Sequence, residues 1–211
     1  EFMGIDVEIA TEALHRMGYE PEFKLIVWEN KNKLLEDGEV DCIWGCFSMN
    51  GREDKYLWAG PYLYSRQMVA VRMDSEIQKL KDLTGKMIAV QETSKAEEYF
   101  LRSDFEGIPD VSLVYCFSNM DEVFAALRKN YVEAICGHES ALISFINTAP
   151  DEYRLLDESF LYSALGVAFD IQYDEEFVEE LFKTLGDMMN DGTIAAIVGK
   201  YGLDAEKSLG R

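Results

Sequence analysis

Basic residues and histidines are scarce in this sequence. Its 211 residues include 20 lysines and arginines against 40 aspartates and glutamates, for a formal net charge of −20, and only two histidines. The basic residues are scattered singly, so they form neither a stripe for a nucleic acid nor a cluster for an anionic membrane surface. No run of 18 apolar residues occurs, so nothing in this sequence spans a bilayer as a helix. We therefore expect no nucleic-acid partner.

Cysteine is also scarce, and its placement does not indicate a metal site. The four cysteines each lie in an apolar, strand-like run: Cys42, Cys46, Cys116 and Cys136. Such runs are typical of buried free thiols. A zinc site needs several ligands at close spacing, and the only histidines are His15 and His138. The sequence therefore predicts no metal and no cofactor.

Helical and strand-like patterns alternate from one end of the chain to the other. The apolar spacing predicts helices at 5–17, 30–37, 95–105, 120–130, 139–147, 174–190 and 193–201. Strands or extended segments are predicted at 23–28, 40–44, 67–72, 86–91, 111–117, 133–136, 153–157 and 164–170. This alternation indicates an α/β fold with parallel-type sheets covered by helices on both faces.

The pattern contains two β-α-β groups, at 5–45 and 86–137, joined by the extended segments 67–72 and 164–170. A chain that crosses to a second lobe and returns has a two-strand hinge, which we expect near 66–68 and 167–170. Lobe one is then predicted at 1–65 and 169–211, and lobe two at 66–168. Ligands of open α/β sheets bind at the carboxyl ends of strands, which would face the cleft between the lobes.

The parallel order of the second group also bears on the cysteines. The strand order usual in lobes of this kind would put the 86–91 strand between the strands that carry Cys116 and Cys136. Strands that flank a third are about 10 Å apart, which is too far for a disulfide. Cys42 and Cys46 share one strand face and are also too far apart, so we predict four free thiols.

Several segments, in order along the chain, resemble the family-3 extracellular solute-binding proteins, the amino-acid receptors of ABC importers. Gly-Ile-Asp-Val-Glu-Ile-Ala at 4–10 is similar to the family's Gly-Phe-Asp-Val-Asp-Leu-Ala helix. Ser-Met-Asn-Gly-Arg-Glu-Asp-Lys at 48–55 resembles its Thr-Ile-Thr-x-x-Arg-x-Lys run, with one residue fewer before the arginine. Further matches lie at 28–41, 60–62, 83–86, 90–91 and 191–193. The resemblance implies a two-lobed, type 2 periplasmic-binding-protein-like fold.

The start of the chain departs from that pattern. The family begins with a strand and an aromatic-rich loop, whereas this sequence enters the first helix at residue 4 or 5 and has no visible signal peptide. We expect an excised or processed segment, in which the first strand was left out or is supplied by another copy. The sequence of 58–67, with Trp-Ala-Gly-Pro-Tyr at 58–62 and Ser-Arg-Gln at 65–67, resembles that of the periplasmic-type sensor modules of membrane signalling proteins.

In lobe one, the resemblance implies four ligand-binding residues. Arg52 matches the arginine that holds the ligand's α-carboxylate, and a guanidinium suits that role because it binds a carboxylate with two parallel hydrogen bonds. Ser48 matches a hydroxyl that receives the ligand's ammonium group. Trp28 matches an aromatic that stacks on the ligand, although a tryptophan at a strand end is equally often core. Tyr62 lies close to the first hinge segment and could line the cleft.

In lobe two, the resemblance implies three more. Ser94 and Lys95 open a helix whose N-terminal amides suit the same carboxylate, although Ser94 could also be a plain helix cap. His138 stands where the family usually has an aspartate that pairs with the ligand's ammonium. A neutral histidine accepts a hydrogen bond but brings no negative charge. Glu139 could substitute, or it could cap the next helix.

The leading hypothesis is extracytoplasmic binding of a small carboxylate-bearing solute, an amino acid, by hinge closure. The partner would be a membrane permease or the signalling part of a receptor. The alternative is a dehydratase-type enzyme on the same fold, acting on prephenate or a related compound, with His138 and Glu139 as an acid–base pair. A third hypothesis is a ligand-free structural module. We expect binding rather than catalysis, because no further carboxylate or nucleophile matches a catalytic pattern.

Overall fold

The structure is a computed structural model that describes residues 2–102 and 106–210. Within these residues the helices are α1 (Ile5–Arg16), α2 (Lys31–Glu36), α3 (Lys95–Leu101), α4 (Met120–Arg128), α5 (Glu139–Ile146), α6 (Glu175–Asn190), α7 (Thr193–Lys200) and α8 (Ala205–Ser208). The strands are β1 (Cys42–Ile43), β2 (Leu57–Arg72), β3 (Met87–Gln91), β4 (Leu113–Phe117), β5 (Ala134–His138), β6 (Tyr153–Leu155) and β7 (Leu161–Phe169). The α/β class predicted from the alternating pattern is therefore confirmed.

The chain forms two compact units. The first contains Glu1–Ile26, Asn30–Ser65 and Ser163–Arg211, and the second contains Val27–Glu29 and Arg66–Tyr162. Strands β2 and β7 are longer than the extended segments predicted from sequence, and each has residues in both units.

In the first unit, β7 lies between β1 and β2. The pairing of β1 with β7 is antiparallel, with Cys42 opposite Phe169. Helices α1, α6 and α7 place their apolar faces in one core, which includes Ile9, Leu185 and Ile194. Apolar residues at helical spacing produce these faces, and their burial holds the three helices together.

The predicted strand at 23–28 is wrong. Residues 21–27 form neither helix nor strand, and Trp28–Asn30 is a short 3₁₀ helix. Leu25 is 86% exposed and Val27 52% exposed, although both are apolar and valine has strong strand propensity. A strand requires a hydrogen-bonded neighbour, and this segment pairs with none of the described strands. The first predicted β-α-β group is therefore not formed within the described residues.

The second unit contains the predicted parallel arrangement. Its strand order is β2-β5-β3-β4, with β6 also paired to β2. β3 is parallel to β4 and to β5, whereas β2 is antiparallel to β5. Met68 and Ala70 point into the core that contains α4 and α5 residues, and Val69 and Val71 into the core that contains α3 residues. Because both faces are covered, the strand reads as a continuous apolar run.

The prediction of four free thiols is confirmed, but Cys42 and Cys46 do not share a strand face, because β1 ends at Ile43. β3 separates the strands that carry Cys116 and Cys136, and all four cysteines are free thiols. Burial raises the pKa of the Cys42 thiol to about 12 and that of the Cys116 thiol to about 12. These thiols are consequently protonated and poorly nucleophilic at neutral pH.

A buried carboxyl group joins α1 to β2 in the first unit. Asp6 Oδ1 accepts a 2.7 Å hydrogen bond from the Tyr62 hydroxyl, and Asp6 Oδ2 accepts a 3.0 Å bond from the Cys46 amide. Loss of hydration raises the pKa of Asp6, although these hydrogen bonds oppose the shift. The carboxyl group thus positions the start of α1 and carries a desolvation cost when ionised.

Two glycines in the first unit test the packing. A Cβ on Gly166 in β7 would lie 2.8 Å from Met49 Sδ and 2.8 Å from Trp58 Cε3, whereas one on Gly186 in α6 would meet nothing within 4 Å. We expect Gly166→Ala to lower the free energy of unfolding by about 1–3 kcal/mol because of overpacking. Gly186→Ala should raise it by roughly 0.5–1 kcal/mol through helix propensity. Urea denaturation measures both, and equal effects would contradict the packing described.

Asp6 predicts a pH dependence of stability. Its pKa is raised in the folded state above the ordinary 3.8, so its stabilising contribution is present below about pH 4 and is lost as pH rises through the folded-state value. Asp6→Asn keeps an oxygen for the Tyr62 hydroxyl but does not titrate. Relative to the wild type, this variant should gain stability between pH 4 and pH 7 in urea denaturation. A constant difference over that range would show that the carboxyl group has an ordinary pKa.

Candidate functional site

The loop that carries Arg52 is fixed against β7 in the first unit. Ser48 forms a β-bridge with Leu165, and the Met49 amide donates to the Ala164 carbonyl at 2.8 Å. Asn50 Oδ1 accepts a 3.0 Å hydrogen bond from the Ser48 hydroxyl and a 2.9 Å bond from the Ala164 amide. The predicted ligand-binding hydroxyl is therefore buried and oriented by its neighbours.

Contacts with Ser48, Phe47 and Trp58 help to position Arg52. Its Nη1 donates to the Ser48 carbonyl at 3.1 Å, and its guanidinium carbon lies 5.1 Å from the centroid of the Phe47 ring. Its own carbonyl accepts a 3.1 Å hydrogen bond from Trp58 Nε1. A guanidinium carries five N–H donors in a planar fork, so it can bind the Ser48 carbonyl and still present donors to a carboxylate.

Lys31 is a second cation beside the same ring, which the sequence analysis missed. It lies on α2, is only 5% exposed, and its Nζ lies 5.9 Å from the Phe47 centroid. A buried lysine favours nearby anions, because its positive charge is little screened by water. The available signal was its spacing, since Lys31 precedes the buried Leu35 by four residues and shares its helix face.

Trp28 and Tyr62 lie in different surroundings from those predicted. Trp28 is half-buried in the 3₁₀ helix rather than at a strand end. Tyr62 is fully buried in the first core, with its ring 5.8 Å from that of Trp44 and its hydroxyl bonded to Asp6. Burial raises the pKa of Tyr62 well above its ordinary value. The structure therefore gives Tyr62 a core role, and we leave it out of the candidate ligand contacts.

In the second unit, Ser94 caps α3. Its hydroxyl accepts a 3.2 Å bond from the Glu97 amide, while Glu97 Oε2 accepts a 2.8 Å bond from the Thr93 amide. The protein's own carboxylate therefore binds one of the amides at this helix start. Lys95 is buried and its Nζ donates to Glu98 Oε2 at 2.6 Å. The helix ends at Leu101, short of the predicted 105, and residues 103–105 lie outside the described part.

His138 is the last residue of β5 and the N-cap of α5. It pairs across the sheet with Gln67 of β2, whose Nε2 lies 2.9 Å from His138 Nε2 and 3.2 Å from its Nδ1. The adjacent Glu139 accepts two hydrogen bonds from Arg66, one of them 2.9 Å long from Arg66 Nε. Glu139 is thus held in a bidentate ion pair, which fixes its carboxylate away from the role of a free base.

No group of three or more histidine, cysteine, aspartate or glutamate side chains is arranged to hold a metal ion in residues 2–102 and 106–210. In the same part of the chain, none of the helices combines the length and apolarity needed to cross a bilayer.

Comparison with known proteins identifies the family. The model of the bacterial extracellular solute-binding proteins, family 3, matches residues 1–204, so the chain belongs to this family. The L-cystine-binding protein TcyA of Bacillus subtilis is 24% identical, over 97% of this chain and 74% of its own length. The glutamate-binding protein GluB of Corynebacterium efficiens is 25% identical, over 90% of this chain and 68% of its own.

Solved structures agree on the fold. The crystal structure of Tv2483 bound to L-arginine has a TM-score of 0.84 and 28% identity, and the match covers 95% of this chain and 82% of the other. The type 2 periplasmic-binding-protein fold predicted from the sequence is therefore confirmed. The three relatives are named for, or bound to, three amino acids of different charge and size.

Proposed function

We propose that this chain binds an amino acid outside the cytoplasm, through the ligand's carboxylate. The observation that carries the proposal is Arg52, whose guanidinium is held by the Ser48 carbonyl and the Phe47 ring on a loop fixed to β7. An arginine with a preset orientation binds a carboxylate through two parallel, charge-assisted hydrogen bonds. Family membership and the amino acids named for the relatives support the same assignment.

The surroundings of Arg52 suit an anionic group. The nearby Lys31 adds a second positive charge beside the Phe47 ring. Ser48 retains acceptor capacity when its hydroxyl donates to Asn50, so its oxygen can still receive an N–H from a ligand. The other predicted contacts of the same ligand are Trp28, Ser94, Lys95 and His138. Hinge closure, which would bring them to the ligand, also remains a prediction.

The enzymatic alternative is the weaker one. It requires His138 and Glu139 to act as an acid–base pair, and the ion pair of Glu139 with Arg66 removes the proposed base. An absorbance assay with prephenate and arogenate separates the two functions. If the wild type turned over either compound and Glu139→Gln did not, the protein would be a dehydratase and the proposed binding function would be wrong.

Two kinds of partner fit this function. The family supports a membrane permease of an ABC-type importer, fed by a solute-binding protein outside the cytoplasm. A receptor's signalling part would use the same ligand-dependent change, and we keep it as the second partner. In either case the ligand must favour one conformation of the chain, because only differential affinity shifts a conformational equilibrium.

Arg52 gives the first test. Arg52→Met keeps volume but removes the donors, so we expect affinity for the amino acid bound best by the wild type to fall at least tenfold, since charge-assisted bonds contribute about 1.5–3 kcal/mol each. Arg52→Lys should recover part of the loss. Calorimetry with an amino-acid panel measures both.

Arg128→Met is the matched control, because Arg128 also lies over a phenylalanine ring, 5.2 Å from the centroid of Phe145, in the second unit. It removes the same type of cation–π contact and should leave affinity unchanged. Equal affinities in Arg52→Met and the wild type would remove Arg52 from the site.

His138 gives the second test. His138→Asp supplies the negative charge that an ammonium group prefers, so affinity for ordinary α-amino acids should rise. The control is His15→Asp, at an exposed histidine of α1 bonded to Glu20, which should have no effect. Weaker binding by His138→Asp would mean that the ligand has no free ammonium, and a different small carboxylate would replace the amino acid.

A further inference from the structure

One buried polar atom beside His138 has no partner. Among the described residues, the buried side-chain atoms without a hydrogen-bond partner are Trp44 Nε1, Gln67 Oε1 and Ser163 Oγ. Gln67 lies within hydrogen-bond distance of the predicted ligand-binding residue His138, through its Nε2. Buried polar atoms in native proteins are nearly always bonded, so this exception calls for a physical explanation.

The position of Gln67 is fixed by the sheet. It lies opposite His138 in the antiparallel pairing of β2 with β5 and is only 1% exposed. Its backbone carbonyl accepts a 3.0 Å hydrogen bond from the Phe160 amide. With the backbone held and Nε2 directed at the imidazole, the remaining polar atom of the amide is a carbonyl oxygen, which can only accept a hydrogen bond.

No charged group bonds to Gln67 Oε1 among the described residues, so this oxygen can still accept a hydrogen bond. Glu139, the acidic group next to His138, is engaged by Arg66, and His138 itself brings no negative charge. An N–H donor brought to Gln67 Oε1 would satisfy an atom whose burial without a partner costs about 1–3 kcal/mol. A hydrogen bond to this oxygen contributes more free energy than one to an exposed oxygen, because no bond to water has to be broken first.

We propose that Gln67 is a specificity-determining residue, whose Oε1 accepts an N–H from the ammonium group of the bound amino acid. This inference rests on the proposed amino-acid binding. Gln67 then distinguishes an amino acid from the same carboxylate without its amino group.

The test compares amino acids with their desamino analogues. The probes are L-arginine with 5-guanidinopentanoate and L-glutamate with glutarate, measured by calorimetry against the wild type, Gln67→Met and Gln67→Glu. In Gln67→Met, we expect affinity for the amino acid that the wild type binds to fall at least about tenfold, and affinity for its analogue to change less than about threefold. Gln67→Glu keeps an acceptor oxygen and should retain or increase the preference for the amino acid.

The outcomes separate this inference from the proposed function. An equal loss for amino acid and analogue, or no loss, in Gln67→Met would overturn it, as would a Gln67→Glu variant that behaves like Gln67→Met. If the wild type bound none of a full amino-acid panel, the proposed function itself would fail. Gln78→Leu, which alters an exposed glutamine of the same unit, controls for general effects and should bind like the wild type.

Discussion

Both units depend on the register of one long strand. β2 runs for 16 residues, and its hydrogen bonds position side chains in each unit. In the first unit it carries Tyr62 to the Asp6 carboxyl of α1, and in the second it sets Gln67 opposite His138. A slip of one residue would turn every side chain of the strand to the other face, so the core and the candidate contacts are fixed by the same bonds.

The candidate site in the first unit contains two neighbouring cations, Arg52 and Lys31, in a strongly acidic protein. The net charge of −20 repels an anionic ligand at long range, and that repulsion is screened within about a Debye length at physiological salt. At short range Arg52 and Lys31, which both lie close to the Phe47 ring, would provide the attraction. The proposed recognition of a carboxylate would therefore depend on a few close contacts. The second unit differs, since its acidic Glu139 is neutralised by Arg66 and its candidate acceptors are neutral.

Much of the candidate site could be read from motifs, but its surroundings could not. The spacing of Ser48 and Arg52 and the substitution at His138 are visible in sequence, because a motif preserves residue type and order. Gln67 and Lys31 belong to no such motif, since a glutamine in a strand and a lysine in a short helix are ordinary there, and Lys31 had only its spacing to Leu35 as a signal. Gln67 became a candidate because its side-chain oxygen is buried without a partner, and Lys31 because it is buried beside Phe47. Tyr62 shows the reverse, because an aromatic residue near a predicted hinge proved to be bonded inside the core.

The sequence by itself determined the α/β class and the helices with strong apolar periodicity. These features follow from local spacing and from the continuous apolar runs of strands buried on both faces. The parallel order of β4, β3 and β5 was implied by the two-lobed fold that the chain resembles. Only the tertiary structure decided that residues 21–27 form no strand, because no described strand lies beside them despite their strand propensity. It alone also decided which polar atoms are paired, as at Asp6, Glu139 and Gln67. The physical reason is the same in both cases. The hydrogen bonds in question join residues that are far apart along the chain, and no local sequence pattern specifies whether such residues come together.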